Sequence, residues 1–153
     1  MKKLENKIPP PALALLTAAA MWGTSKFQTA VSIEPRLHFA LMTALGVIAL
    51  SFGAGGIISF QLAKTTINPV QIDQASRVVT GGMYRVTRNP MYVGLLALLT
   101  MWAVHLAVPV VLLGPLFFAL FIHRFQILPE ERVMSAKFGK GYDDYRKRVR
   151  RWL

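Results

Sequence analysis

Residues 81–92 read GGMYRVTRNPMY and run directly into the apolar stretch VGLLALLTMWAVHL. Two glycines give way to alternating aromatic and basic residues, and Asn89 and Pro90 then stand at the head of a long hydrophobic run. The order reads as loop, then helix start. Asn is a preferred N-cap and Pro a preferred first helical residue, so the spacing predicts a helix from Pro90 whose first backbone N–H groups face the loop. Such donors suit an anionic ligand group. The structural alternative is a well-capped membrane helix with Arg85 and Arg88 at headgroup level.

Composition places this helix in a membrane. Of 153 residues 54% are hydrophobic and only 16% charged, which is unlike a soluble or disordered chain. The length allows one domain, residues 1–153, with its apolar surface buried in lipid or between helices. The absence of cysteine excludes disulfides, thiolate metal ligands and cysteine nucleophiles. His38, His105 and His123 show no ligand spacing, so no metal site is expected.

A net charge of +11 would point to nucleic acid in a soluble chain. Here the basic residues sort by connection instead. Apolar spans fall at residues 10–31, 37–62, 90–106 and 108–128, near the length a bilayer requires. Sixteen of the 18 basic residues lie on one side of these spans; only Arg36 lies in an opposite connection and Lys26 within the first span. The positive-inside rule puts both termini in the cytoplasm and excludes a nucleic-acid partner. The expected fold is an all-α integral membrane protein with four transmembrane helices. Spans three and four form a hairpin, residues 61–89 a cytoplasmic loop, and residues 129–151 an amphipathic interfacial helix.

The basic start MKKLENK resembles a secretory signal, but the long apolar run without a small-residue cleavage site favours a retained helix. Lys26, Gln28, Thr29 and Ser32 make the end of span one polar, with Lys26 snorkelling or facing a cavity. Ser51, Gly55 and Ser59 at four-residue steps, with Gly53, Ala54 and Gly56 beside them, form a small face suited to close helix packing. Pro115 is expected to kink span four.

The second chemical landmark is LPEER, residues 128–132. Pro129 can open a new helix with Glu130 and Glu131 in its first turn, where the dipole favours acids. Adjacent carboxylates at a membrane boundary crowded with Arg also suit a cationic ligand. Beyond them Met134, Phe138, Tyr142, Tyr145, Val149 and Trp152 recur at steps of three or four, a pattern for an interfacial helix that Gly139 and Gly141 would weaken or bend.

TGGMYRVTRNPMYVG (residues 80–94), a helical hairpin, then PEERVMSAKFGKGYDDYRKRVRRW (residues 129–152) together resemble the isoprenylcysteine carboxyl methyltransferase family, related to the phospholipid N-methyltransferases. The resemblance runs from about Ser76 to the end. It implies a membrane enzyme using S-adenosylmethionine, its polar cofactor entering from the cytoplasm of a bacterial or archaeal cell and its lipophilic acceptor from the bilayer. By position it implies that Ser76, Arg77, Val78, Val79, Tyr84, Asn89, Pro90, Met91, Tyr92 and Glu130 contact the cofactor. Two positions depart from the prenylcysteine pattern. Asn89 replaces a His, and Gln126 stands where an Arg meets the substrate carboxylate, with Arg124 two residues earlier. Arg124, Gln126, Arg148 and Arg151 are the candidate contacts to the acceptor or an acidic headgroup.

The implied chemistry is direct displacement from sulfonium to nucleophile, which needs in-line positioning and no metal. An amine acceptor would have to lose a proton first, and Glu131 is the candidate base. Two other classes fit part of the pattern: a membrane reductase resembling the sterol reductases, using NADPH, and a non-catalytic lipid-binding protein.

Overall fold

The computed structural model describes residue 5 and residues 7–63 and 78–153. Among them the chain is helical, with no strand. α1 spans Pro10–Ser25, α2 Pro35–Leu62, α3 Pro90–Leu106, α4 Leu113–Ile122, α5 Leu128–Phe138 and α6 Lys140–Arg148. Prolines open the first three. Pro10, Pro35 and Pro90 stand in their first turns, where the missing N–H has no intrahelical partner to lose. At α2 the Glu34 carboxylate also accepts the Leu37 N–H at 2.8 Å.

α1 is shorter than the apolar pattern suggested. It stops at Ser25, because the polar residues that follow are better solvated outside a helix. Lys26 is exposed, its ammonium 4.8 Å from the Trp22 ring centroid, so it faces no cavity. α3 ends at Ala107, which adopts the left-handed conformation (φ 53°) and turns the chain back into α4. The Ala107 carbonyl also accepts the Val31 N–H at 2.7 Å, tying the α1–α2 connection to this hairpin turn.

The last third departs most from expectation. Pro129 opens no new helix. A helical rod runs from Pro109 to Phe138 through a 3-10 turn, α4, a π-turn at His123–Ile127 and α5. Pro129 cannot donate to the Phe125 carbonyl and its ring crowds that oxygen, so the wider π-turn just before it absorbs both demands. Pro115 lies where the 3-10 turn passes into α4. Thirty residues span roughly 45 Å, against a hydrocarbon core of about 30 Å. The apolar part, residues 109–128, is long enough to match that core, and Glu130, Glu131 and Arg132 follow it in sequence.

Among the described residues two helices, α2 and this rod, are long and apolar enough to cross a membrane; α3 is apolar but shorter. Phe39, Leu50 and Leu62 of α2 and Leu113, Leu116 and Leu120 of α4 are largely exposed. An apolar surface of that extent suits lipid rather than water.

α3 is the central element. On one side it packs against α2, where Ala49 and the expected Gly53 and Gly56 face α3, while Gly55 and Ser59 face Met83 and Gly82 and Ser51 is exposed. A Cβ added at Gly94 would lie 2.8 Å from the backbone nitrogen of Gly53 and 2.9 Å from its Cα, so the two backbones are in contact. On its other side α3 joins α1 and α4 in a core of Leu13, Met21, Leu99, Val111, Phe118 and Ile122. Trp102 adds a hydrogen bond from its indole to the Ala18 carbonyl at 3.1 Å.

The expected single interfacial helix is broken in two. Gly139 takes φ 53°, ψ −130°, a conformation that only glycine adopts readily, and α6 turns back across the end of the bundle. Its aromatic face, Tyr142 and Tyr145, is buried in protein rather than laid on lipid.

Candidate active site at the charged end of the bundle

The loop before α3 is held from below. Gly82, at φ 57°, lies so close to Ser59 that a Cβ there would strike its hydroxyl. The following 3-10 turn, Gly82–Arg85, packs on α2 and sets the Tyr84 ring edge-on to Phe60 with centroids 5.3 Å apart. A cleft of about 320 Å³ opens beside this turn, lined by Ser59, Leu62 and Ala63 of α2 and by residues 78–82.

Tyr92, one turn into α3, donates its phenol to Glu130 Oε1 at 2.5 Å. Tyr92 is buried and Glu130 half-buried, and burial pushes the Glu130 carboxyl up to about 7. The Tyr92 hydrogen bond opposes that rise and the neighbouring Glu131 charge adds to it. Glu131 is placed in the opposite circumstance. Arg151 grips it with two bonds, Nε to Oε1 at 2.9 Å and Nη2 to Oε2 at 2.8 Å, and Arg88 Nη2 reaches Oε1 at 2.6 Å. Burial alone would raise Glu131, but the hydrogen bonds from Arg151 and then Arg88 outweigh it and hold the carboxyl below its ordinary value. Adjacent carboxylates are thus driven apart by environment.

Residues 149–152 form a strap along the loop. The Arg150 carbonyl accepts the Arg88 N–H at 2.9 Å, and the Arg151 carbonyl accepts both the Thr87 hydroxyl at 3.1 Å and the Asn89 amide at 2.8 Å. Arg88 Nη1 donates to the carbonyls of Arg146 and Val149, each at 2.9 Å. Tyr145 donates to the Tyr84 carbonyl at 2.7 Å. All four tyrosines of the chain therefore gather round the two glutamates. Burial raises the phenols of Tyr84, Tyr142 and Tyr145, with Tyr142 reaching about 12, and glutamate charge adds to the rise at Tyr84 and Tyr142.

Of the residues singled out in the sequence, Tyr84, Asn89, Pro90, Tyr92, Glu130, Glu131 and Arg151 come together here. Val78 and Val79 line the cleft, and Met91 packs against Gly56. Ser76 and Arg77 lie outside the described residues. Asn89 stands at the N-cap position, yet its side chain caps nothing, because the strap carbonyl takes its amide. Arg124, Gln126 and Arg148 are engaged elsewhere. Arg124 lies 3.7 Å from Glu5, Gln126 donates to the Ile8 carbonyl at 2.7 Å, and exposed Arg148 donates to the Asp144 carbonyl of its own helix at 3.3 Å. Arg88 and the inward tyrosines of α6 were not among the sequence candidates. The adjacency of Arg88 to Asn-Pro and the three-residue step from Tyr142 to Tyr145 were the signals available.

A family model described as phospholipid methyltransferase matches residues 37–141. The chain belongs to the phospholipid methyltransferase family. The match takes in α2, the loop that carries Tyr84 and Asn89, the α3–α4 hairpin, and both glutamates; α1 and the strap lie outside it. An uncharacterized protein of Haemophilus influenzae is 43% identical over 63 residues, 41% of this chain and the whole of that protein. No solved structure matches. Membership of a methyltransferase family, with two helices fit to cross a bilayer, makes this a membrane-associated member of that family.

Proposed function

We propose that the protein is an integral membrane enzyme that transfers a methyl group from S-adenosylmethionine to a lipophilic acceptor, a prenylcysteine-like carboxylate or a lipid amine. α1 to α4 are its four spans, with both termini and the charged end of the bundle in the cytoplasm. The observation that carries the reading is the Tyr92–Glu130 pair, a carboxylate withdrawn from water at the mouth of an apolar bundle, with tyrosine faces beside it and a cleft adjoining.

The residues fit the cofactor by the chemistry of the donor set. An ammonium group finds a partner in Glu130, a sulfonium finds electron-rich tyrosine faces, and the cleft at residues 78–82 offers room beside backbone and small side chains. When bound, the cofactor supplies an activated methyl group on a positive sulfur. The protein's part is to orient and to exclude water: Tyr92 fixes the Glu130 carboxylate, the 3-10 turn fixes Tyr84, and the strap closes the flank. Glu131 carries two guanidinium groups and is too weakly basic to serve an amine acceptor.

The test is calorimetric binding of S-adenosylmethionine and S-adenosylhomocysteine to protein in detergent, with NADPH as comparison and Glu130→Gln as control. Saturable binding weakened by the substitution is the expected result. Binding of NADPH alone, or of none of the three by folded protein in several detergents, would remove the methyltransferase reading.

A further inference from the structure

We infer that residues 149–152 are a movable wall of the cofactor site, with Glu131 as its clasp and Arg88 as the group that keeps the clasp paired when the wall opens. This rests on the methyltransferase reading and adds how the site is loaded and emptied.

The strap is fastened by polar contacts. Three strap carbonyls receive donors from Thr87, Arg88 and Asn89, and the Arg151 guanidinium holds Glu131; the apolar contribution is Trp152, partly buried against the core. Water can replace such contacts one for one, so lifting the strap costs far less than parting an apolar seam. Its position matters as much. Asn89 is next to Pro90, which starts the helix bearing Tyr92, and Glu131 is next to Glu130. A water-soluble cofactor must be exchanged at every turnover, whereas methyl transfer needs a closed, dry site. A strap fastened by exchangeable bonds to Asn89 and Glu131, the neighbours of Pro90 and Glu130, is suited to alternate between two such states.

Arg88 shows how the second state is stabilised. Its side chain is 9% exposed, yet Nε has no hydrogen-bond partner among the described residues. In the closed arrangement Glu131 Oε1 takes Arg88 Nη2 and Arg151 Nε, and Oε2 takes Arg151 Nη2. Withdrawal of Arg151 frees Oε2, and the spare Nε of Arg88 then completes a two-point grip with Nη2 on the same carboxylate. Glu131 is never left as a lone buried charge, which would be the costly outcome.

The protein has no cysteine, so Thr87→Cys with Arg150→Cys creates a unique thiol pair at the two positions joined in a parallel bridge, a separation that suits a disulfide. In detergent-solubilised full-length protein, the oxidised pair is expected to release prebound S-adenosylhomocysteine more slowly than the reduced pair by roughly ten-fold or more, with reductant restoring the rate. Equal release from both forms, with the cross-link confirmed by mass, overturns the proposal. If neither form nor the parent protein binds the ligand, the cofactor reading has failed, and the strap is then judged by hydrogen exchange at the Arg88 amide. Glu131→Gln should speed that exchange by roughly ten-fold or more; unchanged protection overturns the strap as well.

Discussion

Where Gly53 of α2 meets Gly94 of α3 the backbones themselves touch, glycine to glycine. At the charged end of the same α3 nearly every contact is polar and joins residues far apart in sequence: Arg88 to Glu131, Asn89 to the Arg151 carbonyl, Tyr145 to the Tyr84 carbonyl. The first region has no alternative arrangement of similar energy, since anything larger than hydrogen at Gly94 meets main chain. The second has many, because water or another donor can stand in for each bond. A rigid seam therefore carries an exchangeable end, which is the division that the methyltransferase proposed above would require.

The largest effect should come from breaking the seam. Gly94→Leu is expected to abolish folded protein, and Gly94→Ala to cost about 3 kcal/mol, since the obstruction is backbone that cannot turn aside. Gly81→Ala is the control, with nothing within 4 Å of the added carbon and an extended backbone. Yield and thermal unfolding in detergent measure both. Similar losses at the two positions would mean that the α2–α3 contact is not tight.

Next come the two glutamates, which should respond to pH in opposite senses. Glu130 goes from an ordinary 4.5 to about 7 on folding. The folded state thus prefers its protonated form, and that contribution is present below pH 4.5 and lost as pH rises through 7. The full loss is on the order of 3 kcal/mol. Glu130→Gln keeps a neutral hydrogen-bonding group, so it should flatten the stability profile between pH 5 and 8 while weakening S-adenosylmethionine binding by about a hundred-fold. Binding of an ammonium ligand favours the ionised carboxylate, so wild-type affinity should fall below pH 7 by about ten-fold per unit, and the variant should lose that slope. Glu131 is held below 4.5; its contribution is present above 4.5 and lost as pH falls through its folded value. Glu131→Gln should therefore destabilise the protein at pH 7 and make little difference in acid. Unfolding curves at pH 4, 6 and 8 compare the pair, and parallel profiles would refute the contrast.

This contrast also marks what the sequence could disclose. Hydrophobic runs and prolines are local signals, so α2, read at residues 37–62, is found at Pro35–Leu62, and α3 is found at Pro90–Leu106 as read. Local signals misled where an unlocal answer was available. Pro129 looked like a helix start because a π-turn before it leaves no composition signature. Asn89 looked like a side-chain cap until a carbonyl 62 residues away claimed its amide. Tyr142 and Tyr145 fit an interfacial stripe equally well whichever way α6 turned, and the turn at Gly139 decided it. The glutamate pair was visible as an acidic feature, but only the burial of Glu130 and the two arginines on Glu131 make its members unlike.

The smallest effect separates two arginines three positions apart that the sequence treats alike. Arg151 places its fork on Glu131 with 30% of its side chain exposed, and Arg151→Gln removes both bonds to a carboxylate that stays 8% exposed. Arg148 is exposed and bonds only the Asp144 carbonyl of its own helix. If the basic end acts chiefly by general attraction to acidic headgroups, Arg148→Gln and Arg151→Gln should reduce activity in anionic nanodiscs to the same extent, because each removes one unit of charge. If the paired geometry is what matters, Arg148→Gln should change stability by no more than about 0.5 kcal/mol and leave cofactor binding intact. Arg151→Gln should then cost stability and speed cofactor exchange in any lipid. The strap geometry favours the second outcome, since headgroup attraction is screened by salt whereas a buried two-bond grip is not.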